Sequence, residues 1–203
     1  MTPSPSPTDL PGVETIAAGT PLYRLHRTTN NPAFFDTSGH GRFNPPETLT
    51  SRFGTLYLAR EPAGAFIETL GRIRYLRPDD IAQRRLTTVT FARAVTGFAV
   101  DAASNRFYGD FDLAAEAVST CANYTRPQQL AAVLRDEAFD AITYPARHDN
   151  SATLRSVAVF GPSGSHSPDD VFTKWTSEPV ASALIEEMVA RYGFELVDDA
   201  PLP

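Results

Sequence analysis

A mixed α+β domain is the fold class that the sequence predicts, and three observations predict it. Strand-like and helix-like stretches do not alternate regularly, several strand pairs are joined by long loops, and no long polar linker divides the chain. The first two argue against a doubly wound parallel sheet, in which strands and helices take turns. The third makes 20–203 a single domain, long enough to bury a sizeable core. Residues 1–19 are rich in Pro, Ser and Thr and cannot bury enough apolar surface to order themselves, so they read as a flexible N-terminal arm.

Each element then follows from local pattern. Residues 21–26 alternate, with Tyr23 and Leu25 on one side and Leu22, Arg24 and His26 on the other, which predicts a first strand. Turn signals crowd 28–46, a long irregular connection of the kind that usually has a job. Thr55 to Ala59 reads as a half-buried strand, Leu56 and Leu58 facing one way. A helix starts near Pro62, whose missing N–H costs nothing in a first turn, and Gly71 ends it. Glu61 is favoured at that start by the helix dipole. Ala63, Phe66, Ile67 and Leu70 form its apolar stripe, and Glu68 sits beside the stripe, either a solvated edge or a site residue.

Further on, 74–83 is a connection or short helix, and 86–91 and 97–100 are strands. Helical composition marks 112–123, and Arg126-Pro127 opens another helix through Leu130, Val133, Leu134 and Glu137. Two apolar strands, 141–144 and 157–160, flank a polar loop. Ser177 as N-cap, with Pro179 just inside, predicts a helix whose Val180, Leu184 and Met188 share a face, and 194–197 is a last short strand. Phe172 and Trp175 read as packing residues.

Composition narrows the function. A net charge of −6 argues against a general nucleic-acid binder, whose affinity rests on neutralising phosphates. The cluster Arg72, Arg74, Arg77, Arg84 and Arg85 reads as a solvated face. Cys121 is the only cysteine, which excludes intrachain disulfides and thiolate metal clusters. No apolar run approaches a membrane span and no signal peptide is recognisable, so the expected location is the cytoplasm, away from any membrane. A glycine-rich phosphate loop, a GxSxG elbow, HExxH and Cys-x-x-Cys are all absent, and His26, His40, His148 and His166 lack metal-ligand spacing. What is left is a set of arginines with a tyrosine and a glutamate, placed beside turns or at the ends of elements. Such a set suits an anionic, ring-bearing ligand: Arg grips a diphosphate, Tyr stacks on a ring, and a carboxylate holds ribose hydroxyls or stabilises an oxocarbenium-like centre.

The order of the pieces resembles the RES domain family. The resemblance rests on Leu22-Tyr23-Arg24-Leu25, on Gly41-Arg42-Phe43-Asn44-Pro45-Pro46, and on Leu56-Tyr57-Leu58-Ala59 followed by Ala65-Phe66-Ile67-Glu68-Thr69-Leu70. A fourth motif runs from Ile142 through Tyr144-Pro145-Ala146-Arg147-His148-Asp149-Asn150 into Val157-Ala158-Val159-Phe160. The resemblance implies a fold like that of the ADP-ribosyltransferases, small twisted β-sheets flanked by helices. It also implies a bacterial toxin that consumes NAD+ by phosphorolysis, hydrolysis or ADP-ribosyl transfer. NAD+ would be substrate rather than cofactor, no metal would be needed, and the expected partner is an antitoxin protein with a DNA-binding domain.

Residue by residue, the resemblance makes Glu68 and Arg24 catalytic candidates. Arg24, Arg42, Tyr57 and Glu68 become NAD+-binding candidates: the arginines on the diphosphate, Tyr57 on the nicotinamide or its ribose, and Glu68 on that ribose. One position departs from the family pattern, because Ala146 stands where a Ser usually precedes the Arg. That departure either weakens activity, leaving a nucleotide-binding or protein-interaction module, or passes the hydroxyl's work to Ser151 or Ser156. Ser151 is the candidate substitute.

Overall fold

The computed structural model describes residues 12–49, 52–101, 123–149, 151–167 and 173–197. The helix expected over 112–123 lies, but for its last residue, outside them, as do Cys121, Asn150 and Phe172.

The expected α+β mixture is present. In chain order the elements are β1 (Val13–Ile16), β2 (Leu22–Arg27), β3 (Phe34–Phe35), β4 (Gly54–Ala59), α1 (Pro62–Leu70), β5 (Tyr75–Leu76), α2 (Pro78–Ala82), β6 (Arg84–Phe91) and β7 (Val95–Ala99). After these come α3 (Thr125–Asp136), β8 (Ala141–Pro145), β9 (Arg155–Gly161), β10 (Gly164–Ser165), β11 (Thr173–Pro179), α4 (Ser182–Tyr192) and β12 (Glu195–Leu196). One sheet runs through eight strands in the order β1-β7-β8-β9-β4-β2-β6-β11, and two short ribbons, β10-β3 and β12-β5, lie apart from it. Within the large sheet only β7 and β8 pair in parallel, and α3 lies on the connection between them, as a parallel crossover requires.

The middle of the sheet is nearly parted. β2 makes six residue pairs with β6, and β4 makes six with β9, but β2 and β4 share only Tyr23 opposite Ala59. The large sheet therefore behaves as two smaller ones joined at a single point. Its core is divided in the same way. On one face α3 packs Leu130 and Leu134 against Phe98, Phe139, Ile142 and Phe160, while α1 and α4 pack Phe66, Leu70, Leu184 and Met188 with Leu25 and Phe194. The opposite face buries Leu22, Leu56, Leu58, Val89, Val157 and Val159 together. β4 is thus covered on both faces rather than half-buried, because helices lie over the side where Tyr57 and Ala59 point.

Two sequence expectations are corrected. The arm does not extend to residue 19: Val13–Ile16 pairs antiparallel with β7 and buries Ile16, so a strand partner supplies what composition could not. Ser177 is not a helix cap. It lies in β11, an edge strand running antiparallel to β6 as far as Pro179, and the helix begins only at Ser182 with Ala181 before it. Pro is tolerated there because an edge strand has one side with no ladder to feed. Gly71 ends α1 as expected, at φ −63°. Space is the reason for glycine here, since a Cβ would lie 2.4 Å from the Ile67 carbonyl oxygen and 2.5 Å from the His148 Cβ. No helix among the described residues is long and apolar enough to cross a membrane.

Candidate functional site

Where β2 and β4 part, a cleft of about 410 Å³ opens between the two helical layers. Tyr23, Arg24 and Leu25 line it from β2, Tyr57, Leu58 and Ala59 from β4, and Ala65, Glu68, Thr69 and Arg72 from α1 and its end. Helix α1 lies against the gap, its Thr69 hydroxyl shared between the Ala65 carbonyl of its own turn at 2.9 Å and the Leu25 carbonyl of β2 at 3.1 Å. The bond to Leu25 stands in for part of the strand pairing that β2 lacks with β4, and it fixes the turn of helix from which Glu68 projects.

Glu68 is held by one oxygen. Its Oε1 accepts the Arg147 backbone N–H at 2.7 Å and the hydroxyl of fully buried Ser156 at 3.2 Å. Oε2 has no hydrogen-bond partner among the described residues, and Glu68 lines the cleft. Burial pushes the Glu68 carboxyl up from the ordinary range, opposed by the Arg147 N–H, the Ser156 hydroxyl and the charges of Arg42 and Arg147. The side chain is half-buried and pre-aimed rather than a solvated edge.

Loop 39–44 supplies the other wall, and several groups hold it. Tyr57 Oη accepts the Phe43 N–H at 2.8 Å and donates to Asn44 Oδ1 at 2.9 Å, while Asn44 donates to Asp36 at 2.8 Å. Gln128 on α3 donates to the carbonyls of Gly39 and Gly41 at 2.7 and 3.1 Å. Only glycine fits at 41, because a Cβ there would lie 2.3 Å from Asn44 Oδ1 and 2.4 Å from Tyr57 Oη. The loop presents Arg42, whose guanidinium carbon lies 5.0 Å from the Phe43 ring centre and 5.5 Å from that of Tyr144. Tyr57 thus does two things: its ring lines the cleft, and its hydroxyl, its ionisation pushed up by burial, is committed to the loop.

Arg24 donates from Nη1 to the Pro32 and Phe34 carbonyls at 2.8 and 3.3 Å. Burial lowers it to about 10, against the pull of Asp36, so it stays charged at neutral pH. Arg24 and Glu68 do not form an ion pair with each other. Arg24, Arg42, Tyr57 and Glu68 therefore share one hollow, as the sequence expected.

Ser151 does not join them. Its hydroxyl donates to Asp149 Oδ1 at 2.5 Å, in a turn where Asp149 also accepts the Leu154 N–H and the Tyr192 hydroxyl. Ser156 is the serine that reaches Glu68. Sequence reasoning did not single out Tyr124, Tyr144, Arg72, Arg147 or His148 as cleft residues. Arg147 and Tyr144 lie within the fourth motif, which was the available signal; Arg147 Nη1 donates to Tyr124 Oη at 2.7 Å. Four arginines, at 24, 42, 72 and 147, surround a single carboxylate, so the cleft is cationic although the chain is acidic. Among the described residues no group of His, Cys, Asp or Glu could hold a metal ion.

The RES domain family model matches residues 21–179, most of the chain and all of the cleft residues named above. The chain belongs to the RES domain family. Among solved structures, this RES domain is similar to a chain in the crystal structure of the M. tuberculosis MbcT–MbcA toxin–antitoxin complex. The two are 16% identical, superpose with a TM-score of 0.56, and align over 87% of this chain and 92% of the other. At that identity the likeness shows the RES fold. No curated protein matches the sequence.

Proposed function

We propose that this RES domain cleaves the bond between nicotinamide and ribose in NAD+, and that it acts as a toxin neutralised by a cognate antitoxin protein with a DNA-binding domain. The observation that carries the reading is the half-fixed Glu68 carboxylate in a cleft ringed by four arginines. Arg24 and Arg42 suit the diphosphate, which two guanidinium groups can grip in bidentate fashion. Tyr57 and Tyr144 offer ring faces for the nicotinamide and its ribose. As the C–N bond breaks, its electron pair leaves with nicotinamide and positive charge grows at the anomeric carbon. Oε2 of Glu68 would stabilise that charge, an effect worth on the order of a hundred- to a thousandfold in rate for a pre-aimed group. An acceptor oxygen then closes the new bond. Membership of the RES family supports the toxin role, and the fold shared with a chain of a toxin–antitoxin complex supports a protein partner.

The test is incubation of the purified protein with NAD+, with and without phosphate, following nicotinamide release. Release supports the enzyme. Ala146, standing where the family pattern carries a serine hydroxyl, favours a second reading as a nucleotide-binding or protein-interaction module with weakened turnover. Tight ADP-ribose binding with no nicotinamide release under either condition would select that reading.

A further inference from the structure

The two groups that hold Glu68 belong to one hairpin. Arg147, whose N–H donates to Oε1, follows β8, and Ser156, whose hydroxyl donates to the same oxygen, lies in β9. The strands pair as far as Pro145 opposite Arg155, and the Ala146 N–H continues to the Leu154 carbonyl at 2.9 Å. Where that ladder stops, a second buried carboxylate takes over. Asp149 Oδ2 accepts the Leu154 N–H at 2.7 Å, and Oδ1 accepts the Ser151 N–H and hydroxyl at 3.2 and 2.5 Å. The Asp149 N–H returns to the Ala146 carbonyl at 3.2 Å. Burial would raise the Asp149 carboxyl, but the bonds it accepts outweigh burial and hold it well below the ordinary carboxylate range. The turn is therefore wrapped on a charge that persists at neutral pH, and the wrapping sets the direction of the Arg147 N–H.

One bond reaches Asp149 from far along the chain. Tyr192, the last residue of α4, donates its hydroxyl to Oδ1 at 3.1 Å, and its neighbour Arg191 donates to the Thr153 hydroxyl at 2.7 Å. Burial and the Asp149 carboxylate push the Tyr192 phenol up to about 12, so it stays a donor. The same helix packs Leu184 and Met188 in one cluster with Phe66 and Leu70 of α1, and the Phe194 ring just beyond it meets Phe66 edge-on at 5.6 Å. Helix α4 thus grips both bodies that Glu68 connects: the helix that carries the side chain and the turn that receives it. It begins past residue 179, where the family match ends.

We propose that Asp149 is a positioning residue for Glu68, and that α4 clamps it through Tyr192, so that the Arg147 N–H and the Ser156 hydroxyl converge on one carboxylate oxygen and leave the other for the substrate. Its effect on turnover rests on the NAD+-cleaving reading. The Arg147 N–H is the foremost of the effects that oppose the burial of Glu68. Hydrogen bonds to an ionised carboxylate are strong and directional, so a turn that loosens gives up part of that hold.

The test follows the Arg147 backbone amide of the full chain by NMR as pH is varied. In wild type the signal should titrate with Glu68, a response that Glu68→Gln removes. Arg42 from loop 39–44, the Arg147 guanidinium and Tyr144 from β8 also face this carboxylate, and Tyr192→Phe leaves all three in place. That variant deletes one hydroxyl from a half-buried residue and keeps the ring, so the fold should survive. It should move the Arg147 midpoint to higher pH by roughly half a pH unit and lower kcat for nicotinamide release about three- to tenfold, with the KM for NAD+ nearly unchanged. Asp149→Asn, which sets an NH2 group against donors, should do both more strongly. An unmoved Arg147 midpoint in Tyr192→Phe overturns the proposal, and so does an unchanged kcat in an active enzyme; a lower melting temperature alone would mean that the bond only fastens the helix. If wild type releases no nicotinamide while the midpoint still moves in Tyr192→Phe, the NAD+ reading fails and the positioning of Glu68 stands.

Discussion

Glu68 is a carboxylate whose burial works against it. Its raised pKa means that the folded protein is most favoured while this group is protonated. That contribution is complete below the ordinary carboxylate range and is lost as pH rises through the raised value, so above it ionised Glu68 is a standing cost to the fold. Glu68→Gln should therefore abolish nicotinamide release, by a hundredfold or more, while raising the melting temperature at pH above that value. The gain in melting temperature should vanish in acid, where wild-type Glu68 is neutral too. Thermal melts of both proteins across pH, beside an activity assay, check this, and a Glu68→Gln protein that is folded and active refutes the role. The same logic places the acid limb of wild-type activity above the ordinary carboxylate range. Ser156→Ala removes one of the two hydrogen bonds that favour the charged form. It should lower kcat about tenfold and move that limb to higher pH, with the fold kept because the site is fully buried and an alanine fits. A changed rate with an unmoved limb would mean that Ser156 only packs.

At the scale of elements, the most instructive piece is loop 39–44, which looks irregular in sequence and is fastened at Tyr57, Asp36 and Gln128. Tyr57→Phe deletes the phenolic oxygen that Phe43 N–H and Asn44 share, leaving a buried donor without its acceptor. About 1–3 kcal/mol of stability should go with it, and because Arg42 rides on this loop, the KM for NAD+ should rise more than kcat falls. Denaturant melts and steady-state kinetics separate the two effects. Strands β2 and β4 and helix α1 were legible because alternation and spacing are local and Pro62 and Gly71 punctuate them. β1 and β11 were not, because both are edge strands whose order comes from β7 and β6, far away in the chain. The same limit governs the site. Arg24, Arg42, Tyr57 and Glu68 lie in motifs that resemble a family. The choice between Ser151 and Ser156 turns on which way a loop folds back, and here Asp149 captures Ser151.

Across the whole molecule, the cleft lies on the one weak join of the large sheet, so a ligand that touches β2, β4, α1 and loop 39–44 at once ties the two halves together. ADP-ribose, which has no bond to cleave, should raise the melting temperature in proportion to the logarithm of its concentration, about 2.7 kcal/mol at a hundred times its Kd. Amide exchange in β2 and β4 should slow more than in β7 or β8. Uniform slowing across the sheet, or none, would place the ligand elsewhere. A cleft lined by four arginines and one glutamate in an acidic chain draws small anions to the hollow.

The lone pairing of Tyr23 with Ala59 has one more consequence. Past that point the two strands do not pair, the Leu25 carbonyl takes the Thr69 hydroxyl in place of a strand neighbour, and main-chain groups border the gap where a bound molecule would meet them. No side-chain substitution can erase those contacts. A variant stripped of Arg24, Arg42 and Glu68 together should accordingly keep a residual grip on the nucleotide, supplied by peptide groups alone.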